Sequence, residues 1–206
     1  SSLNPQGGKA TTFLDVSLGN LRPLRIQVLG EVSQPGAYTV NPAASLFSSL
    51  YYFNGPTALG SLRDIRLIRD GKQISSIDFY DFLLTGKKPR DEKLQLDDVV
   101  FIPNRLKTVT IKGEVNRPGI YELKPSETLK DLIFISGGIK VSAYLERAQI
   151  DRILPFEKRN ELGMDRMFID VNISEVLQGD SIFSIQDGDN IEIFSILDAR
   201  SNVVSI

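Results

Sequence analysis

A nine-residue phrase occurs twice in this chain, and it constrains the fold more than any other feature of the sequence. GEVSQPGAY begins at Gly30, and GEVNRPGIY begins at Gly113, 83 residues later. The same offset relates further residues over about forty positions, among them Pro42 and Pro125, Leu46 and Leu129, Leu50 and Ile133, Gly55 and Gly138, Leu62 and Leu145, Arg69 and Arg152. Self-similarity at a fixed period is the sequence signature of repeated structural units. The chain is therefore predicted to contain two copies of one module.

Turn chemistry predicts how each module begins. Apolar residues alternate before and after the phrase, which indicates two strands, and proline-glycine lies between them at Pro35-Gly36 and Pro118-Gly119. Proline presets φ for the second position of a type II turn and glycine supplies the positive φ of the third. We therefore expect β-hairpins turned at these two dipeptides. Asp70-Gly71, between two β-rich runs, predicts a further two-residue hairpin in the first module.

The order of the predicted elements sets the fold class. After its first hairpin each copy continues with a helix, a second hairpin, a short second helix and a closing strand. This order predicts an α+β fold, in which each module has a mixed sheet, one main helix and a short second helix. The expected division is a linker or the edge of a preceding segment at 1–23, modules at 24–104 and 105–197, and a tail at 198–206. The second module carries a hairpin insertion at 155–165, and a short, fixed connection is expected between the modules.

Composition excludes several classes of function. Without histidine or cysteine the chain cannot form a Ser-His-Asp triad, a Cys-His pair or a thiolate metal site. A net charge of −2 lacks the basic footprint of a nucleic-acid binder. Neither a membrane-spanning apolar run nor a signal peptide is recognisable, and the N-terminus is expected to be the cut edge of a longer protein. We therefore expect no enzyme, no cofactor, no metal site and no nucleic-acid partner.

A few polar and aromatic residues are candidates for glycan or subunit contact, namely Arg69, Arg152, Tyr38, Tyr121, Lys158 and Arg159. The arginine pair survives the repeat offset, and so do Glu31 and Glu114. Exposed cross-strand Glu-Arg pairing is one explanation; contact with an acidic glycan or a neighbouring subunit is the other. Tyrosines in strands are more often half-buried packing residues than sugar platforms. A neutral, solvated hairpin extension is favoured for the insertion.

The repeated wording resembles a known domain family. VLGEVSQPGAYTV, DFYDFLLTGK, GEVNRPGIYELKPSETLKDLIFISGG and RAQIDRI are similar to soluble-ligand-binding β-grasp (SLBB) domains. They are similar in particular to the tandem SLBB region of bacterial outer-membrane polysaccharide export proteins. This resemblance implies two tandem β-grasp (ubiquitin-like) modules.

The resemblance also implies a function. It points to a non-enzymatic, periplasmic module of a capsule or exopolysaccharide export protein, associated with the outer membrane through segments outside this sequence. The implied partners are the polysaccharide, further copies of the same protein in a homo-oligomer, and an inner-membrane polysaccharide co-polymerase. The alternative is an SLBB module that binds a small ligand, a cobalamin-like cofactor or a soluble sugar. An enzyme with paired carboxylates would need two acids about 5–10 Å apart, and the sequence spacing points to no such pair.

Overall fold

A computed structural model describes residues 22–179 and 181–196 of the chain. The first copy contains β1 (Leu24–Gly30), β2 (Gly36–Val40), α1 (Leu46–Ser49) with a 3-10 turn at Leu50–Tyr52, β3 (Ile65–Arg69), β4 (Lys72–Ile77), α2 (Phe79–Thr85) and β5 (Val99–Ile102). The second copy contains β6 (Lys107–Gly113), β7 (Gly119–Leu123), α3 (Leu129–Ile135), β8 (Ala143–Ile153), α4 (Phe156–Leu162), β9 (Arg166–Val171), α5 (Ile173–Gln178) and β10 (Asn190–Ser195).

Each copy folds around its own five-stranded mixed sheet. The strand order is β2-β1-β5-β3-β4 in the first sheet and β7-β6-β10-β8-β9 in the second. The first and last strands of each copy pair in parallel at the centre, and the other pairings are antiparallel. The prediction of an α+β fold with two tandem β-grasp modules is confirmed.

Alternation along the central strands places the core on one face of each sheet. Ile26 and Val28 of β1 are fully buried beside Leu46 of α1, and Ile111 of β6 is buried beside Leu129 of α3. Burying a branched aliphatic side chain of this size stabilises the folded state by about 1.5–3 kcal/mol. Each main helix therefore covers the inner face of its own sheet.

The insertion forms a helix rather than a plain hairpin extension. Helix α4 lies between β8 and β9, buries none of its side chains and ends at Gly163 in the left-handed conformation. The expected outer boundaries of the modules stay predictions. Of the predicted linker at 1–23, residues 1–21 lie outside the described part of the chain, as does the whole of the predicted tail at 198–206.

The φ angles of the glycines in the repeated phrase differ from those that the sequence predicts. Gly119 does not have the positive φ of a type II turn, and Gly36, with φ of 153°, already begins β2. The type II assignment is therefore wrong at Gly119. The chain instead requires the first glycine of the phrase: Gly30 and Gly113 have φ of 90° and 85°.

Close backbone approach explains that requirement. A Cβ on Gly30 would lie 2.1 Å from the carbonyl oxygen of Ile102, and a Cβ on Gly113 would lie 2.1 Å from that of Ile193. Both carbonyls belong to the neighbouring parallel strand. At Asp70-Gly71 both φ values are positive, 50° and 72°, which is typical of a type I′ turn.

Candidate functional site

The two modules meet through a buried group of polar side chains, called the joint below. The first module contributes four residues of its second half, and the second module contributes residues of β7 and of the loop before α3. The joint consists of Ser61, Arg63, Asp78, Tyr80, Glu122, Lys124 and Glu127. Ser61, Arg63 and Glu122 are buried although they are polar or charged.

Arg63 is the cation at the centre of the joint and is only 7% exposed. Its Nη2 donates to Asp78 Oδ2 at 2.9 Å within the first module. Its Nη1 and Nη2 donate to Glu127 Oε2 and Oε1 at 2.7 and 2.9 Å, a bidentate pair that crosses to the second module. Planar, two-point pairing of this kind fixes orientation as well as distance.

Glu122 is the second buried charge, at 3% exposure. Its carboxylate accepts from Ser61 Oγ at 2.6 Å, from the backbone N–H of Leu62 at 2.9 Å and from that of Leu106 at 3.0 Å. Its own backbone N–H donates to the Tyr80 hydroxyl at 3.1 Å. A buried carboxylate with several donors is satisfied rather than strained, so Glu122 ties the first module, the connection and β7 together.

Hydrogen bonds between the charged groups of the joint shift their pKa values in favour of the charged forms. Burial lowers the pKa of Arg63, but its hydrogen bonds to Asp78 and Glu127 leave that pKa above its ordinary value. Burial alone would raise the pKa of Asp78, yet the hydrogen bonds from Arg63 and Lys124 bring it below its usual value. Burial raises the pKa of the Tyr80 phenol. Asp78 and Arg63 therefore stay charged and the Tyr80 phenol stays neutral at neutral pH, which suits fixed geometry rather than proton transfer.

Backbone contacts hold the connection between the modules. The Ser61 N–H donates to the Pro103 carbonyl at 2.9 Å, and the Arg105 N–H donates to the Leu59 carbonyl at 2.8 Å. Tyr80 and Leu84 of α2 also pack against the core of the second module. The connection is short and held on both sides, as the sequence predicts.

The joint is formed by residues that differ between the two copies. The sequence repeat therefore did not predict it. Arg63 corresponds to Glu146, Glu122 to Thr39 and Glu127 to Ala44 at the repeat offset. Asp78 and Asn172 cap the equivalent helices α2 and α5. Charged residues that break an otherwise regular repeat were the signal available in the sequence.

The repeated arginines each form an ion pair within their own module. Arg69 binds Asp98 at 2.8 and 2.9 Å, and Arg152 binds Asp189 at 2.8 and 2.7 Å, each through Nε and Nη2. Both aspartates also accept a backbone N–H three residues earlier. The expected Glu-Arg pairing is wrong.

The repeated glutamates have other partners in the described chain. Glu31 accepts a hydrogen bond from the Thr57 hydroxyl at 3.1 Å. Glu114 accepts one from the Ser142 hydroxyl and lies 3.8 Å from the Lys140 ammonium. Both carboxylates therefore bind to the loop that follows the main helix of their own module.

The repeated tyrosines close the loops that precede them. Tyr38 donates its hydroxyl to the carbonyl of Gln34 at 2.6 Å, and Tyr121 donates to that of Arg117 at 2.6 Å. Both rings are half-buried and pack against the core of their own module. This contact fixes the loop between the first two strands of each module.

The cations of the insertion lie apart from the joint. Arg159 donates to the Leu154 carbonyl at 2.6 Å and lies over the ring of Phe156. Lys158 is exposed on α4. A glycan or subunit contact by Arg69, Arg152, Tyr38, Tyr121, Lys158 or Arg159 stays a prediction.

The described residues contain no cluster of three or more side chains suited to a metal ion. None of the helices within residues 22–179 and 181–196 is long and apolar enough to cross a membrane.

Comparison with known proteins agrees with this architecture. The model of the SLBB domain matches twice, at residues 25–76 and 108–165, one match in each module. Two curated Escherichia coli sequences, both described as polysialic acid transport protein KpsD, are 31% identical to this chain over 111 residues. The alignment covers 53% of this chain and 20% of that protein, so the similarity spans about a fifth of the relative's length.

The two family matches together cover more than half of the chain, and each falls on one of the two sheets. The chain belongs to the SLBB domain family.

Proposed function

We propose that this chain is a non-enzymatic, two-module segment of a periplasmic polysaccharide export protein, and that its two modules act as one unit. The observation that carries the proposal is the joint, in which Arg63 of one module is buried against Glu127 of the other. A fixed spacing between modules is what a subunit needs if copies are to pack side by side around a polymer. The similarity to KpsD, described as a polysialic acid transport protein, supports polysaccharide as the cargo.

Subunit packing is proposed to involve the free edge of the second sheet. Strand β9 is the last strand of that sheet, so one side of its backbone is unpaired by the sheet, and an edge of this kind can pair with another chain. Phe168 on β9 and Phe156 and Leu162 on α4 are exposed apolar residues in this part of the chain. Burial of such side chains against a second copy would favour a homo-oligomer.

Location and other partners follow from the same proposal. An exporter of this kind would work in the periplasm, attached to the outer membrane through other segments of the longer protein. An inner-membrane polysaccharide co-polymerase would deliver the polymer to it.

The test is export in cells that lack the full-length protein and are complemented with variants. Wild type and Arg66→Met should restore surface polysaccharide, because Arg66 is partly exposed and pairs locally with Asp64. Arg63→Met should reduce it while the protein still accumulates, because the joint is lost. If deletion of the full-length protein leaves surface polysaccharide unchanged, the proposal is wrong.

Oligomeric state gives an independent test. Size-exclusion chromatography with small-angle scattering of the full-length protein should show an assembly that Phe168→Glu weakens. A strictly monomeric full-length protein would contradict the packing role.

A cleft in the first module favours a second candidate, a module that binds a small ligand. The cleft measures about 370 Å³ and is lined mainly by apolar side chains, among them Phe47 and Phe79, which is within the size range of ligand sites. Titration with cobalamin, followed by its visible absorption, separates the two candidates. Saturable binding by the chain would favour this one.

A further inference from the structure

Two grooves occupy equivalent places in the two modules. The first groove, of about 370 Å³, is lined among others by Tyr51, Asn54, Gly55, Leu62 and Phe79. The second groove, of about 290 Å³, is lined by Leu84, Arg117, Phe134, Gly137 and Gly138. Tyr51, Asn54 and Gly55 correspond to Phe134, Gly137 and Gly138 at the repeat offset. The repeat therefore builds the same kind of groove twice.

An exposed aromatic ring stands at each groove. Tyr51 follows α1 and is 77% exposed, and Phe134 lies on α3 and is 71% exposed. Large aromatic side chains usually bury most of their surface, and these two rings at equivalent positions are free to contact a ligand. The flat face of such a ring is suited to stacking on the apolar face of a sugar ring.

The second groove also carries a cation. The exposed Arg117 donates its Nη2 to the Ile135 carbonyl at 3.2 Å, and no carboxylate of the described residues pairs with it. Gly137 makes room for it, because a Cβ at that position would lie 2.9 Å from Arg117 Nε. The equivalent of Arg117 in the first module is the neutral Gln34. The second groove is thus matched to an anionic group and the first to a neutral one.

Helix α2 brings the two grooves together. Phe79, at its first position, lines the first groove, and Leu84 of the same helix lines the second. Five residues of α-helix advance the chain by about 7.5 Å along the axis. Leu84 belongs to the first module but completes a groove of the second, so the second groove depends on the joint.

We propose that the two grooves bind sugar rings of one acidic polysaccharide chain, with Tyr51 and Phe134 stacking on the rings and Arg117 pairing with a sugar carboxylate. This inference rests on the proposed function and names the binding site for its cargo. A repeating polymer suits repeated sites, because a chain held at one groove reaches the other at a high effective concentration.

The test is an NMR titration of the isotope-labelled 206-residue chain at low salt with digalacturonate, hexagalacturonate and the neutral maltohexaose. Hexagalacturonate should shift the backbone amide signals of Phe134, Gly137 and Gly138 saturably, and more weakly as salt is added. Phe134→Ala should lower its affinity about fivefold. Arg117→Gln should lower the affinity for hexagalacturonate about two- to fivefold and leave that for maltohexaose unchanged.

The first groove is tested by chain length. Tyr51→Ala should lower the affinity for hexagalacturonate. It should leave the affinity for digalacturonate unchanged, because digalacturonate fills only the second groove. Controls come from exposed residues outside the grooves, the ring of Phe156 and the guanidinium of Arg147, which lies over the ring of Phe194. Phe156→Ala and Arg147→Gln should bind both acidic oligosaccharides as wild type does.

Three results would overturn the inference. They are the absence of saturable shifts at the groove amides, equal losses in the control variants, and groove shifts that depend on protein concentration without sugar, which would assign the grooves to a second copy. The export assay is a separate readout. If Phe134→Ala and Arg117→Gln proteins still export polysaccharide although the isolated chain binds no oligosaccharide, this inference fails and the proposed function stands.

Discussion

At the scale of single residues, the repeated phrase is explained by backbone geometry and loop closure. Its first glycine allows the chain to pass against the carbonyl of the neighbouring parallel strand, at Gly30 and at Gly113. Its tyrosine closes the loop by donating to a carbonyl four residues earlier. The valine between them is buried in each copy, at Val32 and Val115. The repeated phrase therefore has a structural role, and packing or backbone geometry explains most of the residues that its two copies share.

A matched pair of glycine variants tests this assignment. Gly113→Ala should destabilise the chain by about 3 kcal/mol, because its Cβ would overlap the Ile193 carbonyl at a positive φ. Gly119→Ala should change the free energy of unfolding by less than about 1 kcal/mol, because its Cβ meets only a Tyr121 ring atom at 3.7 Å. Urea denaturation measures both. Equal losses would show that the turn glycine matters as much as the first.

At the scale of elements, each sheet is tied to the turn before its closing strand by an ion pair with a buried aspartate. Arg152 on β8 reaches Asp189, which immediately precedes β10, and Arg69 on β3 reaches Asp98, which immediately precedes β5. Each arginine also donates to a loop carbonyl, of Ser184 or Lys93. These pairs hold the entry of the parallel central strand in register.

Removing one buried partner should therefore be costly. Asp189→Ala leaves Arg152 buried without its carboxylate and should destabilise the chain by about 3–5 kcal/mol. Asp170→Ala, which breaks the exposed pair with Arg147, is the control and should cost less than about 1 kcal/mol. Thermal unfolding by circular dichroism compares them. A small loss of stability in Asp189→Ala would contradict the structural role of the pair and would favour a binding role for Arg152.

At the scale of the whole molecule, the joint sets how the modules are placed. Each sheet has its own hydrophobic core, so packing within a module does not fix the orientation of its neighbour. The charges of Arg63, Glu122 and Glu127 do so, because Arg63 and Glu122 are buried, Glu127 is half-buried, and the side chain of each forms hydrogen bonds across the boundary. Removing Arg63 leaves Glu127 without the guanidinium that it binds across the boundary.

The relative orientation of the modules can be measured by residual dipolar couplings. In the wild type both modules should report one alignment tensor. In Arg63→Met they should report different tensors, because the pairs to Asp78 and Glu127 are lost. Arg66→Met is the matched control and should behave as the wild type does. A single tensor in Arg63→Met would mean that apolar contacts suffice to hold the modules.

The joint should also make stability depend on pH. The folded-state pKa of Asp78 lies below its unfolded value, so its contribution is present above about pH 4 and is lost as the pH falls through the lowered value. Asp78→Asn keeps a residue that can cap α2 but removes the charge. The difference in unfolding free energy between wild type and this variant should shrink as the pH falls below about 4. A difference that is independent of pH would contradict the assignment.

The sequence by itself determined the module, its repetition and much of its order of elements. These features are local, because strand alternation and the Asp70-Gly71 turn each follow from neighbouring residues. The type II assignment at Gly119 was wrong. The requirement for a glycine at position 113 could not be predicted either, because the strand that meets Gly113 lies far away in the sequence. A glycine's need for positive φ there depends on a distant carbonyl.

Only the tertiary structure decided the joint and the grooves. Arg63 meets a partner 64 residues away in Glu127, and Ser61 meets Glu122 61 residues away. Hydrophobic periodicity and turn residues do not predict such pairings. They indicate which side of an element faces the core, but not which distant charged residues contact each other. Leu84 and Phe134 likewise come together only because two modules dock. Local pattern specified each module, and long-range charge and packing specified how the modules combine.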